Sequence, residues 1–515
     1  MIEQGINQVN DQVLEVPDNI THEKLVKLML DWWRPSQIIE DINTANEYYM
    51  CRNTNILKKT RSYKDQHGRT MVNETLSNQR IPSAFLRTSV VQKTNYGFGK
   101  PFSISVESSS LTKNEQNNDK NGEMYLKEWQ DWLDTEKRKT IKKIANKAIN
   151  GGINWAYVWI DDDNKLDFVD VDGNTVYPNW KDKSHIDLNH IIRDYSIIDF
   201  ATGSADSVNK VEYWDDENKE FYIDKSGVLV PDESEGGRLP TGKHMDDDKD
   251  GIGWGKVPFV GFKGNEDELP LLNLIKAHID TYDMLMSKTA DSLIDDIDPV
   301  LLLKNISADI KDLQQARDII KNLLIASVEG DGDAKYLQVR ADINANKADL
   351  ELIKTDISKF ASDVNFEDIR GGGNLNQLVI KSMYQALDTY IEGVEVEFEV
   401  FMNNIKYFFD MWQEWKGNGT FEQWQEYKLI VTLNRDMMIN ESAIIDDTVK
   451  LMNTGVSQET VDNYNPAVES VEIENARRAN EAEAAFNTQN EQSEMFKFIQ
   501  QMKDAENDNE PEDEK

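Results

Sequence analysis

Residues 346–415 read NKADLELIKTDISKFASDVNFEDIRGGGNLNQLVIKSMYQALDTYIEGVEVEFEVFMNNIKYFFDMWQEW, and this stretch decides the fold. Leu350, Ile353, Ile357, Phe360 and Val364 recur at steps of three and four, which lines one face of a helix. Asn346 supplies an N-cap and Asp349 a first-turn acid. Gly371, Gly372 and Gly373 then rule out a stable helix. The rhythm resumes through Met383, Leu387, Ile391, Val394, Phe398, Phe401, Ile405, Phe408 and Trp412 with no proline. It predicts a helix from Gln377 to Trp415, about 58 Å long at 1.5 Å per residue. Such a helix in a mid-sized chain is a scaffold strut or a subunit-interface element. Gly393 lies inside it, costs about 1 kcal/mol relative to alanine, and marks a place for a bend.

Upstream, residues 297–343 read as a small α/β insert. Val300 to Leu303 is a strand, Asp309 to Leu323 a helix, and Ile325 to Val328 with Tyr336 to Val339 a hairpin. Its turn is Glu329-Gly330-Asp331-Gly332-Asp333, residues that tolerate positive φ. Before the insert, Pro270 opens a helix carrying Leu272, Ile275, Ile279, Tyr282, Met286, Thr289 and Leu293. His278, Asp280 and Asp283 lie close on that helix without forming a metal-ligand set, and read as a solvated face.

Toward the N-terminus, His22 to Trp33 and Ile38 to Met50 read as helices separated by Pro35, and residues 60–77 as polar loop. Asn78 to Phe102 reads as an amphipathic helix ending at glycines, with Pro101 preventing continuation. Residues 106–121 read as a mobile loop, and Tyr125 to Asn150 as one helix. On it, Lys137-Arg138-Lys139 and Lys142-Lys143 form either a solvated basic face or a contact for an acidic partner. From Gly151-Gly152 the pattern turns to alternating aromatic and β-branched runs. Trp155 to Ile160, Lys165 to Val171, Thr175 to Tyr177, Ile191 to Ile197, Val211 to Trp214 and Glu220 to Ile223 predict an antiparallel meander. Residues 224–252 read as exposed loop and Gly255 to Phe262 as a closing strand. Beyond Trp415, Lys428 to Leu433 is a strand and 437–463 two short helices joined near Gly455. The chain is Glu-, Asn- and Gln-rich from Glu469, helical to Met502, and ends in a disordered acidic tail. The fold class is α+β.

The 515 residues carry 94 acidic and 57 basic side chains, a formal charge of −37, which argues against tight wrapping of nucleic acid. A single cysteine, Cys51, excludes an intramolecular disulfide framework and fits a reducing cytoplasm. No apolar run reaches a membrane span, and the polar N-terminus has no signal-peptide pattern. The six histidines show no paired-ligand spacing, the phosphate-loop, G-x-S-x-G and H-E-x-x-H patterns are absent, and Asp246-Asp247-Asp248-Lys249-Asp250 lacks calcium-loop spacing. The chain reads as a non-enzyme with no cofactor and no metal.

The order of these segments resembles the portal proteins of tailed bacteriophages, in particular the siphophage type from Gram-positive hosts. Asn78 to Phe102 resembles the family's N-R-I…F…V…K…Y-x-x-G-K-P helix and turn, with Gln79 intervening between Asn78 and Arg80. Gly151 to Tyr157 with Val176-Tyr177-Pro178 resembles its glycine-to-aromatic β region. Val257-Pro258-Phe259 through Ile279-Asp280-Thr281-Tyr282-Asp283 resembles its V-P…I-D-x-Y-D stretch. Thr454 to Val461 resembles its G-x-[IV]-S-x-E-T segment, with Val456 directly after the glycine.

The resemblance implies a mainly helical portal fold with wing, stem, clip and crown, in a homo-oligomeric ring of twelve subunits at one capsid vertex. Double-stranded DNA is packaged and later ejected through its channel. By position, 1–265 with 417–465 would be wing, 266–296 and 344–364 stem helices, and 297–343 the clip. Residues 365–376 would be the tunnel loop, 377–416 the long helix, and 466–515 the crown and acidic tail. Arg370, Gly371, Gly372, Gly373, Asn374, Asn376 and Lys381 would lie nearest DNA. Glu329, Asp331, Asp333 and Lys335 of the clip would meet the terminase large subunit and then the head–tail adaptor protein. The other implied partners are the major capsid and scaffolding proteins, with no membrane; the protein would sit in the virion, and in host cytoplasm during assembly. The competing readings are a structural adaptor or scaffold protein without a channel, and a DNA-processing packaging enzyme.

Overall fold

The computed structural model describes residues 21–64, 67–72, 76–109, 119–161, 163–200, 204–233, 241–244, 252–295, 300–304, 333–337, 343–364, 377–435 and 448–464, with scattered positions from 468 to 478. The chain divides into two units. One comprises Met1–Asn365 with Tyr384–Asp436, the other Phe366–Met383 with Met437–Lys515.

The helices of the first unit begin with α1 (His22–Trp33), α2 (Gln37–Tyr49), α3 (Thr54–Leu57) and α4 (Phe85–Phe98). They continue with α5 (Lys120–Trp132), α6 (Thr135–Gly151), α7 (Leu272–Asp295) and α8 (Ile343–Phe360). Next come α9 (Gln377–Trp415), which runs in from the other unit, and α10 (Phe421–Gln425). Ser36, after Pro35, caps α2 by accepting the Ile39 N–H, so the break between α1 and α2 is where the proline places it.

Residues 60–77 are not all loop. Strand β1 (Ser62–Lys64) pairs antiparallel with β2 (Thr70–Val72), and Gly68 supplies the turn at φ 76°. Strand β3 (Ser103–Ser108) takes up the start of the expected 106–121 loop, pairing with the strand Tyr427–Thr432. The helix expected over Tyr125 to Asn150 is two: Asp134 interrupts it and caps α6 through the Lys137 N–H.

Strand β4 (Ile153–Ile160) lies between β5 (Leu166–Val171) and the later strand Phe259–Lys263, with all pairings antiparallel. The meander follows as β6 (Val176–Trp180), β7 (Leu188–Asp199), β8 (Asp206–Trp214) and β9 (Asn218–Lys225), with β10 (Val228–Pro231) on its edge. β11 (Thr241–Lys243) also pairs with β9, so residues 224–252 contain strands as well as loop. β12 is Phe259–Lys263. The insert contains β13 (Val300–Lys304) against β14 (Asp333–Leu337). Asp309 to Leu323, Ile325 to Val328 and the 329–332 turn lie outside the described residues. β15 is Tyr427–Thr432.

One core joins α2, α4, α6, α7 and α8 through Tyr48, Leu86, Val90, Ile149, Ile275, Ile279 and Ile357. A second fills the space between the sheets with Trp155, Ile191, Trp214 and Phe259, and a third seats α1 on the meander through Val26, Leu30 and Ile192. Helix α9 buries Leu387, Ile391, Val394, Phe398, Phe401, Ile405, Phe408 and Trp412, the positions its spacing marks, and its hydrogen-bonded run is unbroken at Gly393. Phe398 meets Phe98, Phe102 and Phe262 edge-on or tilted, and Phe409 stacks on Trp129 with centroids 4.1 Å apart. Gly152, at φ 88°, passes so close to the Glu268 carbonyl that a Cβ would lie 2.1 Å from its oxygen, so only glycine serves there.

Burial in the meander pushes His190 and His244 down to about 4. His244 accepts the Trp254 N–H at Nδ1 and donates from Nε2 to the Asn218 carbonyl, which leaves no place for a second ring proton. The unfolded chain takes up these protons below about pH 6.5 and the folded chain does not, so the stabilisation is full above that pH and lost on descent toward 4. Denaturant titrations at pH 7 and 4.5 should show the parent losing about 2 kcal/mol more than His244→Asn, which keeps an acceptor for Trp254.

Candidate functional site

The site is built where α4 meets α7, Asp363 and Val364 beyond α8, and Tyr384 and Asp388 of α9. Helix α7 presents Asp283, Ser287, Asp291 and Asp295 at steps of four, one ridge of the helix. The chain before α4 runs along that ridge. Backbone N–H groups of Ser77, Gln79, Ile81 and Ser83 donate to Asp295 (2.9 Å), Asp291 (2.6 Å), Ser287 (3.0 Å) and Asp283 (2.9 Å) in turn. Donors at every second residue mean an extended chain, so residues 78–84 form a strap and the helix begins only at Phe85. The solvated face expected at His278, Asp280 and Asp283 is corrected at Asp283, which belongs to a buried polar seam with Ser287 and Asp291, while His278 and Asp280 are half-buried.

The charges on the seam are met one by one. Lys59 Nζ reaches Asp291 at 2.5 Å, Arg61 pairs with Asp295, and Asn53 Nδ2 donates to Asp283 at 2.7 Å. Asp280 accepts from the Tyr48 hydroxyl, Asn55 and Lys276. Burial raises the Asp291 pKa, but the Gln79 N–H, Lys59 and Ser77 more than reverse this and hold it below the usual carboxylate range. For Asp283 burial wins, and its pKa is raised despite the donors from Ser83 and Asn53. Tyr282 sets its ring edge-on to Phe85, the first residue of α4. The I-D-x-Y-D residues of the sequence are thus the joints between α7, α2 and the start of α4.

Helix α4 keeps one exposed stripe, Arg87, Thr88, Val91 and Asn95, as expected of an amphipathic helix, but its buried side includes the polar residues Ser89, Lys93 and Thr94. Its polar side chains have partners inside. Lys93, with no solvent exposure, donates to Asp363 at 2.5 Å and to Ser89 at 3.0 Å, and lies 5.1 Å above the Tyr390 ring. Burial lowers the Lys93 pKa, while Asp363 opposes that. Ser89 Oγ donates to the same Asp363 oxygen at 2.7 Å. Gln92 makes a reciprocal pair with the backbone of Val364, Nε2 to its carbonyl and Oε1 from its N–H, both 3.1 Å. Three residues after Lys93, the Tyr96 hydroxyl donates to Asp388 of α9 at 2.5 Å, and its ring lies 5.5 Å from Tyr384. Arg435 completes that end with Asp388 and Glu395.

Of the residues singled out in the sequence, Arg370, Gly371, Gly372, Gly373, Asn374 and Asn376 lie outside the described residues, as do Glu329 and Asp331. Lys381 is exposed on the first turns of α9, in the second unit. Asp333 and Lys335 lie on β14, opposite Lys304 and Leu302. The basic residues of α6 meet acids of their own chain: Lys137 meets Asp134 and Asp167, Lys143 meets Asp170, and Lys139 meets Glu136. Sequence reasoning missed Gln92, Asp363 and Asp388. For Gln92 the signal was polar residues on the buried as well as the exposed side of a segment flanked by Phe85 and Phe98; Asp363 and Asp388 lie outside that segment and gave none.

An open cavity of about 1180 Å³ lies among α2, the sheets and α9, lined by Trp155, Trp180, His185, Val257, Glu268 and Val400. Its central polar groups are paired with each other, His185 to Glu268 at 2.6 Å and Lys263 to Glu268 at 3.1 Å. Among the described residues no group of His, Cys, Asp and Glu could hold a metal ion, and no helix is long and apolar enough to cross a membrane.

The seam predicts unequal costs along one ridge. Asp291→Ala strands Lys59 and two donors and should destabilise the protein by about 3 kcal/mol or more, whereas Ser287→Ala should cost about 1–2 kcal/mol. Urea unfolding of the two variants checks the ranking.

A family model described as "Phage portal protein, SPP1 Gp6-like" matches residues 35–495. The chain is 27% identical over 477 residues to the portal protein of Bacillus phage SPP1, covering 91% of this chain and 89% of that one. It is 24% identical over 379 residues to the portal protein of Clostridium phage phiCD119, covering 70% and 76%.

Proposed function

The chain belongs to the SPP1 Gp6-like family of phage portal proteins, and from that premise we propose that twelve copies form a ring at one capsid vertex, the channel through which double-stranded DNA is packaged and ejected. The observation that carries the proposal is a family match spanning residues 35–495, from α2 to the C-terminal region. In this reading α7 and α8 are the stem helices, the insert holding β13 and β14 is the clip, and α9 is the long helix behind the tunnel loop. The N-terminal helices and sheets with β15 are the wing, and the C-terminal region is the crown. The clip docks first the terminase large subunit and then the head–tail adaptor, and the ring meets capsid and scaffolding proteins. Its role is that of a structural connector.

The formal charge of −37 per chain supports the same reading, because an acidic wall repels phosphates and lets DNA slide. Screening over about 8 Å at physiological salt leaves contacts to local groups. Arg370, Asn374, Asn376 and Lys381 would supply them, with Gly371, Gly372 and Gly373 permitting movement.

Native mass spectrometry and negative-stain averages of the protein co-expressed with capsid and scaffolding proteins should show rings of twelve 59.2 kDa chains with a central hole. A closed dimer or tetramer without a hole overturns the reading. In such rings Arg370→Ala should change packaging yield and leave ring mass unaltered; if rings fail to form, the DNA-contact role of Arg370 is wrong.

A further inference from the structure

We propose that two unlike patches of the first unit meet between neighbouring copies of this chain. The basic surface of the β1–β2 hairpin and the strap on one copy docks against the acidic mouth of the cavity beside α9 on the next. The inference rests on the ring proposed above and names the surfaces that would close it.

The basic patch runs against the composition of the chain. Residues 51–90 carry eight basic and two acidic side chains, in a sequence with 94 acids and 57 bases. Lys59 and Arg61 are used inside, on Asp291 and Asp295. Arg52, Lys58, Lys64 and Arg80 are exposed, and none of them has an ion pair among the described residues. Lys59 donates to the Gln79 carbonyl and Asn78 to the Lys59 carbonyl, which sets the end of α3 beside the strap. Exposed apolar side chains share this surface: Leu57 next to Lys58, Met71 on β2, and Ile81 next to Arg80. β1 and β2 form a two-stranded sheet of their own, an element that is marginal in water unless a further surface covers it. Phosphates would use the cations and leave those apolar groups wet, whereas a protein surface uses both.

The complementary patch lies at the cavity mouth, where the lining holds six acids against four lysines. Glu266 and Asp267 are exposed and Glu397 of α9 is half-buried, and none of the three has an ion pair among the described residues. The lysines Lys256 and Lys263 are already paired, with Asp187 and Glu268. Burial raises the Glu397 pKa, and the charges of Glu268 and Glu266 add to this against Lys263, so a further cation would stabilise its carboxylate. Val396, 62% exposed, and Val400 follow one another on the same side of α9 and supply apolar contact.

Identical chains of −37 repel one another, and a closed ring needs each copy to offer two different surfaces. Opposite charge on these two relieves the repulsion locally and sets the orientation of neighbours. One copy does not satisfy itself. Pro270 at the cavity leads into α7, and the basic patch follows that helix from Asp283 to Asp295. At 1.5 Å per residue the two patches lie about 20–37 Å apart along it, beyond the reach of side chains.

The test is native mass spectrometry of the protein co-expressed with capsid and scaffolding proteins, using reversals of exposed charges. Lys58→Glu with Arg80→Glu, and separately Glu266→Lys with Asp267→Lys, should each cut the ring fraction about tenfold or more. The urea midpoint of each chain should stay where it is. All four substitutions in one chain should restore the rings, because opposite charges then face each other again. Unchanged rings in both reversed variants overturn the contact and leave the portal reading standing. A fourfold variant that does not recover also overturns the contact. If Lys58→Glu with Arg80→Glu keeps its ring mass but loses retention of duplex DNA, the patch serves nucleic acid and the contact is overturned. A parent without rings overturns the portal reading and this contact with it.

Discussion

A carboxylate taken out of water has to be met by donors, and on α7 the donors come from a length of backbone. Ser77, Gln79, Ile81 and Ser83 give their N–H groups to four side chains on one helical ridge. Each side solves the other's problem. The strap has no strand partner for its amides, and the buried acids have too few side-chain cations. The direction in which α4 starts is settled there, because Ser83 is bonded to Asp283 and Phe85 is already helical. Everything α4 grips inherits that placement.

What could be read from the sequence follows from how local each signal is. Helix α9 was legible to the residue, since apolar spacing over Gln377–Trp415 is a property of that segment alone. The meander was legible for the same reason, with Trp155, Tyr157 and Trp159 alternating along β4. The seam on α7 was not. Acids four apart look like a solvated face, and the backbone that buries them lies about two hundred residues upstream. Helix α4 misled differently, because its exposed stripe of Arg87, Thr88, Val91 and Asn95 does not gather its polar residues: Ser89, Lys93 and Thr94 are buried, and Lys93 and Tyr96 find partners in Asp363, beyond α8, and Asp388 of α9. The break at Asp134 was there to be read as a cap, but the continuous charge pattern across it hid it. The motif residues that carried the family resemblance, Lys93, Tyr96, Asp280 and Asp283, are the ones whose partners are distant in sequence. Recognition therefore found them where periodicity did not.

The acidic excess is not evenly spent on solubility. On α9, Asp410 is fully buried and receives Lys406 at 2.5 Å, Gln425 at 2.6 Å and the Tyr125 hydroxyl, while Lys406 also donates to the Trp424 carbonyl. Burial raises the Asp410 pKa and the Lys406 ammonium opposes it. Removing any one partner would strand a charge in the core, so this network joins α9 to α5 and α10 far more selectively than the surrounding aromatic rings do. The long helix is thus fixed by specific polar contacts at Asp388 and at Asp410, with the apolar ridge from Ile391 to Phe408 between them.

The strap also has a natural limit. Two residues of extended chain advance about 6.7 Å, while four residues of helix advance about 6.0 Å. Over the three steps from Ser77 to Ser83 the mismatch reaches roughly 2 Å, which side chains must absorb. The arrangement of acceptors fits that demand. Ser287 carries its oxygen on Cβ, and lies between aspartates whose oxygens reach about one bond further out. An extended chain crossing a cylinder comes nearest at one point and recedes on both sides, so the short acceptor belongs at the crossing and the long ones flank it. A fifth bond in the same register at the Ser83 end would need an acceptor at Ile279, which faces the apolar core instead. The strap therefore ends where the ridge turns hydrophobic, and the chain leaves it as α4.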